Sequence, residues 1–109
     1  MPIELPDAVA GYVRSANAHD AEACAQYFTE DATVHDEGRE RRGVAAIIEW
    51  KKEVSRKYRP IMKVIDVMGE NEKVVMTAEV SGDFKGSPIA LRFAFTLRGE
   101  KIARLDIAP

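Results

Sequence analysis

The run Tyr27-Phe28-Thr29-Glu30-Asp31-Ala32-Thr33-Val34-His35-Asp36 holds the residue best placed to do chemistry, and Gly43-Val44-Ala45-Ala46-Ile47-Ile48-Glu49-Trp50 follows it after a short polar loop. The pattern reads as the end of a helix, an acidic turn, a short strand at about 32–35, and a glycine that opens a long amphipathic helix. Asp36 thus falls where a strand ends beside a helix start, a place from which a carboxylate can face an enclosed space. Shielded there, it can serve as a general base. The plainer alternative is a loop aspartate that caps backbone N–H groups ahead of the helix.

Other side chains with chemical potential each have two readings. Lys51 stands four residues after Ile47 and seven after Val44, at the edge of that helix's apolar stripe. Either its stem covers apolar surface while the ammonium snorkels to water, or it is a cation at a pocket wall that binds a carboxylate or steadies an enolate. His35 alternates with Asp36, so the two should point to opposite faces unless a bulge follows Val34. His19 reads as the exit of the first helix, where an imidazolium favours the helix dipole. Two histidines without close ligand spacing predict no zinc site. Arg39, Arg41 and Arg42, interleaved with Glu37 and Glu40, are either a solvated loop or an anion site at a pocket mouth beside a helix N-terminus.

The elements that must position these residues divide the chain in two. Leu5, Val9, Tyr12, Val13 and Ala16 share one face of a first helix, with Pro6 in its first turn. Asp20 can cap a short second helix bearing Cys24, Tyr27 and Phe28. The third helix buries Val44, Ile47, Ile48, Val54 and Tyr58, turns Glu49, Lys52, Glu53, Arg56 and Lys57 to solvent, and ends at Pro60. From Ile61 the period changes to two. Strands are predicted at about 61–68, 73–82, 89–98 and 101–108, separated by Gly69-Glu70-Asn71, Asp83 through Pro88, and Arg98-Gly99-Glu100. Short links imply an antiparallel meander.

On these strands Met76, Ala78 and Val80 share one face, as do Leu91, Phe93, Phe95 and Leu97, and then Ala103, Leu105 and Ile107. The predicted fold is therefore α+β: a curved antiparallel sheet, a cone-like half barrel, covered by three helices around an apolar pocket. Candidates for lining it are Phe28, Trp50 and Lys51 from the helical half. From the strands come Met76, Ala78, Val80, Leu91, Phe93, Phe95 and Leu105. Sequence does not separate lining from core among them. The other sheet face carries Thr77, Glu79, Arg92, Thr96, Arg104 and Asp106 and could simply meet water.

Composition narrows the partners. The chain has 109 residues, 46% hydrophobic, and 16 Lys plus Arg against 18 Asp plus Glu. One ordinary domain over 1–109 is expected. The near-balanced charge gives no field to draw nucleic acid or an anionic membrane. No apolar run of about 18 residues suggests a membrane span, and Met1-Pro2-Ile3-Glu4 does not open a secretory signal. The single Cys24 cannot form an internal disulfide and reads as a buried thiol, consistent with an expected cytoplasmic setting.

Nearly the whole chain resembles the ketosteroid isomerase-like, or SnoaL-like, branch of the nuclear transport factor 2-like superfamily. That branch uses a tyrosine in the middle of the first helix, matched by Tyr12, and an aspartate base after an Ala-Thr-Val-type strand, matched by Asp36. Its second oxyanion donor, a protonated aspartate on the strand after a Gly-x-Pro turn, falls on Phe95 when read from Gly86-Ser87-Pro88. Two supporting tyrosines fall on Phe28 and Lys51. The resemblance implies Asp36 as base and Tyr12 as hydrogen-bond donor to an enolate, with no metal or organic cofactor; ketosteroid isomerase is the worked case of this pairing. It also implies a homodimer formed through the outer sheet face. Two functions follow: an isomerase, cyclase or lyase that removes a proton beside the carbonyl of a small apolar substrate, or a noncatalytic ligand-binding or dimerisation module on the same fold.

Overall fold

The computed structural model describes residues 4–109. Helix α1 (Asp7–Asn17) follows Pro6, and α2 (Ala21–Ala25) is capped by Asp20, whose carboxylate accepts from the Ala23 N–H at 3.0 Å. Strands β1 (Phe28–Asp36) and β2 (Arg39–Arg42) precede the long helix α3 (Val44–Tyr58), and β3 (Ile61–Glu70), β4 (Lys73–Ser81), β5 (Ile89–Arg98) and β6 (Lys101–Ala108) complete the chain. All six strands form one curved, open sheet in the order β2-β1-β6-β5-β4-β3. The expected meander is present from β3 to β6. Among the described residues the single parallel pairing joins β1 to β6, with Val34 opposite Leu105 and His35 opposite Asp106.

Alternation sets the inner face. Val74, Met76, Ala78 and Val80 on β4 and Phe93, Phe95 and Leu97 on β5 are buried, facing Val9, Tyr12 and Ala16 of α1. Asn17 fastens the end of α1 to the start of β3: its amide donates to the Met62 carbonyl at 2.9 Å and accepts from the Met62 N–H at 2.8 Å. On the outer face Arg104 lies beside Asp106, Nε to Oδ2 at 2.9 Å, exposed to water.

Three local expectations are corrected. The second helix stops at Ala25, and Phe28 already belongs to β1. Glu30 and Asp31 therefore lie in a strand, where an irregularity in the β1–β6 pairing between Phe28 and Thr33 leaves them exposed. Residues 39–42 form β2, a strand of four charged residues. It pairs with β1 as a hairpin because Glu37 and Gly38 both adopt positive φ, the left-handed geometry that tight hairpin turns require. On β6 the buried residues are Ile102 and Leu105, three apart. Irregular pairing with β5 after Thr96 shifts the alternation that predicted Ala103 inward.

Candidate active site

The strand β1 delivers Asp36. Val34 points inward with no exposed surface, and Asp36 lies two residues on, so its carboxylate shares that inner face while His35 turns away. The N-cap of α3 is Gly43, with no side-chain capping bond, so Asp36 is not the cap of that helix. Asp36 instead accepts a hydrogen bond from Trp50 Nε1 at 3.2 Å, across 14 residues of sequence.

Helix α3 supplies the opposite wall. Its buried line runs through Ile47, Trp50 and Lys51 and continues to the half-buried Val54 and Tyr58. Lys51 therefore sits in the middle of the stripe, not at its edge. It is only 5% exposed, so the snorkelling reading fails. Its Nζ lies 3.4 Å from the Tyr12 hydroxyl oxygen, to which it donates, and 4.7 Å and 5.0 Å from the ring centroids of Trp50 and Tyr12.

Tyr12 is fully buried at the junction of core and cavity. Its ring meets Phe95 edge-on at 5.5 Å and Phe28 at 6.0 Å, while Phe93 lies at 6.3 Å. Those aromatics hold the phenol in place from three sides.

Between these walls is a cavity of about 330 Å³, at the small end of the range for ligand pockets. Tyr12, Asp36, Trp50 and Lys51 all line it, together with the apolar side chains of Met62, Val80, Phe93 and Ile107. Its mouth is formed by Tyr58, Pro60, Phe84 and Ile89, with Glu37 at the rim. Tyr58 and Phe84 stack edge-on at 5.9 Å, and the Tyr58 hydroxyl donates to Glu37 Oε2 at 3.4 Å. The mouth is tightened where the chain leaving β4 passes the end of α3: a Cβ on Gly82 would lie 2.5 Å from the Tyr58 carbonyl oxygen, which only glycine avoids.

Burial sets the electrostatics. Loss of water pushes the Asp36 carboxyl above its ordinary range; the Trp50 hydrogen bond opposes this, Glu37 adds to it, and Lys51 and Arg41 pull it down. Burial likewise lowers the Lys51 ammonium, against the pull of Cys24 and Asp36, and raises the Tyr12 phenol far enough to stay neutral. The arrangement is a base of weakened acidity, a neutral phenol and a buried cation around an apolar space. Proton removal beside a carbonyl is the chemistry such a set can perform.

Of the ten proposed lining residues, Trp50, Lys51, Val80 and Phe93 face the cavity. Phe28, Met76, Ala78, Phe95 and Leu105 do not: each is almost fully buried in the packed core. Leu91 is half-buried against the core and also lies off the cavity. The sequence reading missed Met62, Phe84, Ile89 and Ile107 as lining. Phe84 sits within a run of turn signals, and the others depend on where the sheet bends. The central place of Lys51 on the stripe is legible in its spacing, since 47, 51, 54 and 58 fall on one helical line. Arg39 and Arg42 are exposed on β2, and His35 lies outside the cavity. Among the described residues no group of three or more His, Cys, Asp or Glu side chains could hold a metal, and no helix is long and apolar enough to cross a membrane.

Residues 9–105 match the SnoaL-like domain family. The chain belongs to that family. Among solved structures it is similar to a protein from Sinorhizobium meliloti named as a candidate polyketide cyclase, with 35% identity, 95% of each chain covered and a TM-score of 0.92. A second candidate polyketide cyclase, from Pseudomonas putida, is 21% identical over 99% of this chain and 92% of its own, with a TM-score of 0.82. A protein with a ketosteroid isomerase-like fold from Catenulispora acidiphila, solved with trimethylamine, is 20% identical over 97% of this chain and 87% of its own, at 0.86. The latter two support the fold alone. No curated protein matches the sequence. The architecture is thus nuclear transport factor 2-like, and the chain is a member of the SnoaL-like family.

Proposed function

We propose that this SnoaL-like protein admits a small apolar carbonyl compound to the Asp36 cavity and removes a proton from the carbon beside the carbonyl. The outcome would be an isomerisation, cyclisation or lyase reaction. The observation that carries this reading is the Asp36 carboxylate itself: it faces a largely apolar cavity and is aimed by Trp50. Tyr12 donates a hydrogen bond to the enolate oxygen that forms. Lys51, by donating to the Tyr12 oxygen, makes that phenol a stronger donor. The 35% identical relative carries the name of a candidate cyclase, and ring closure by an enolate carbon begins with this same proton removal. The proposal includes pairing of two copies through the outer sheet face, where Ile61, Met68 and Val75 stand exposed.

One observation favours the noncatalytic alternative. Phe95 is packed against Tyr12, so no second acid stands at the place the isomerase pattern would give it. Loss of one oxyanion donor costs about 3–4 kcal/mol of transition-state stabilisation, a factor of roughly 10²–10³. That slows such an enzyme without removing its base.

The test is deuterium uptake from heavy water into a panel of small apolar ketones, with Asp36→Asn beside the parent. The substitution should lower exchange by about 10²–10⁴; equal rates for the two proteins overturn the reading. A pH signature accompanies it. The folded Asp36 carboxyl titrates above its ordinary 3.8, so the folded state binds the proton more tightly than the unfolded chain. The stability this gives at low pH is lost as pH rises through the folded value. Asp36→Asn should therefore melt higher than the parent at pH 7, with the gain fading as pH falls toward 3.8.

A further inference from the structure

We propose that Lys51 is a nucleophilic amine that condenses with the carbonyl group of an apolar aldehyde or ketone in the cavity, forming a protonated Schiff base. The inference rests on the reading that this cavity admits a carbonyl compound, and it adds covalent catalysis to the proton chemistry of Asp36.

Lys51 is 95% buried on residue surface, being 5% exposed, yet it lines the cavity. Buried cations are normally held by a carboxylate. Here, among the described residues, the ion pairs involve Lys52, Arg98 and Arg104, and none involves Lys51. What surrounds its Nζ is one long hydrogen bond to Tyr12 and the faces of two aromatic rings. This environment suits an iminium. An ammonium in a salt bridge uses its N–H groups on oxygen atoms and loses two of them on condensation. Aromatic faces attract the positive charge whether or not it carries those hydrogens. The site's charge also stays balanced: a neutral substrate enters between Asp36 and Lys51, and the iminium keeps the charge of the ammonium it replaces. Burial, which depresses the protonation of Lys51, makes the free amine more accessible.

The step balances within the residues named. The Lys51 ammonium gives one proton to the Asp36 carboxylate through an intervening water, since the two groups are not in contact. The amine lone pair bonds to the carbonyl carbon as the C=O π pair moves to oxygen, and a proton passes from nitrogen to that oxygen. Asp36 returns its proton to the resulting hydroxyl, which leaves as water while the nitrogen lone pair closes the C=N bond. One ammonium and one carbonyl give one iminium and one water, and Asp36 ends as the carboxylate. It can then take the proton from the carbon beside the iminium, a more acidic position than the one beside the parent carbonyl, to give an enamine.

Reductive trapping tests this on the whole chain. The protein is treated with a series of hexanal concentrations and sodium cyanoborohydride at neutral pH, and the initial rate of labelling of each lysine is followed by peptide mapping. Lys52, its exposed neighbour in sequence, is the internal standard. Lys51 should be alkylated on the order of tenfold faster than Lys52, with saturation in hexanal. Lys51→Arg, which keeps the charge without the nucleophile, should lose that fast label and keep the slow labelling of surface lysines. If Lys51 is labelled no faster than Lys52 in the parent protein, the proposal is overturned, whatever becomes of the variant. Persistence of Asp36-dependent deuterium exchange in that case would leave the general-base reading standing. Loss of both would remove the two together.

Discussion

The two ends of the sheet bury similar side chains to different effect. At the closed end Phe28, Phe95 and Leu105 pack around Tyr12 with almost no exposed surface, and the interior is filled. At the open end Trp50, Val80, Phe93 and Ile107 come from the same strands and helices, but α3 and the sheet diverge toward the Tyr58–Phe84 pair and leave about 330 Å³. The polar groups collect where the two ends meet. Tyr12 has its ring in the packed cluster and its hydroxyl against Lys51 at the cavity wall. A polar group needs a partner when buried, and here the partners are other potential reactants. The packed end is what holds them in fixed geometry, so stability and chemistry should separate between the ends.

Phe95→Ala and Phe84→Ala break that comparison most directly. Phe95 is 1% exposed and stacked on Tyr12, so truncation should cost about 3–5 kcal/mol of unfolding free energy. Phe84 is half-buried at the mouth, so its truncation should cost about 1 kcal/mol and widen the range of ketones accepted. Urea denaturation measures the first and exchange with bulkier ketones the second. Equal stability losses would mean that the mouth is core.

The same contrast explains what the sequence could disclose. Local periodicity gave the buried face of α1 and the inner faces of β4 and β5, because a regular element repeats its environment every turn or every second residue. It also placed Asp36 at the end of a strand. Irregularities were hidden. Glu30 and Asp31 look like a turn, yet they lie in β1; Arg39-Glu40-Arg41-Arg42 has no apolar alternation, yet backbone pairing alone makes it β2. The cavity was hidden more deeply. Phe93 and Phe95 have the same spacing, chemistry and burial, and only the bend of the sheet decides that one lines the space and the other fills the core. The partner of Asp36 was also out of view, since Trp50 reaches it across 14 residues and two elements.

Trp50→Phe sharpens the comparison at the junction. It keeps most of the ring and removes the N–H that holds the Asp36 carboxyl down. The carboxyl, already raised by burial, should rise further, so less of it is ionised at a given acidic pH. The acid limb of kcat/KM for exchange should therefore move to higher pH. The accompanying stability loss should be about 1–2 kcal/mol, for one lost hydrogen bond and a small void. An unmoved limb would show that Trp50 packs beside Asp36 without governing its proton.

Tyr58→Phe should do least, and the reason completes the contrast with Trp50. Both are aromatic donors from α3 to an acidic residue at the end of β1, Trp50 to Asp36 at 3.2 Å and Tyr58 to Glu37 at 3.4 Å. Trp50 is 3% exposed, whereas Glu37 lies in the solvent, where water replaces any bond it loses. Removing the hydroxyl leaves the ring that stacks on Phe84 and forms the wall of the mouth. Stability should change by less than about 0.5 kcal/mol, and the acid limb of the exchange profile should stay in place. A shift as large as that of Trp50→Phe would mean that the rim carboxylate controls the site's protonation, and that the open end is electrically closed although it is sterically open.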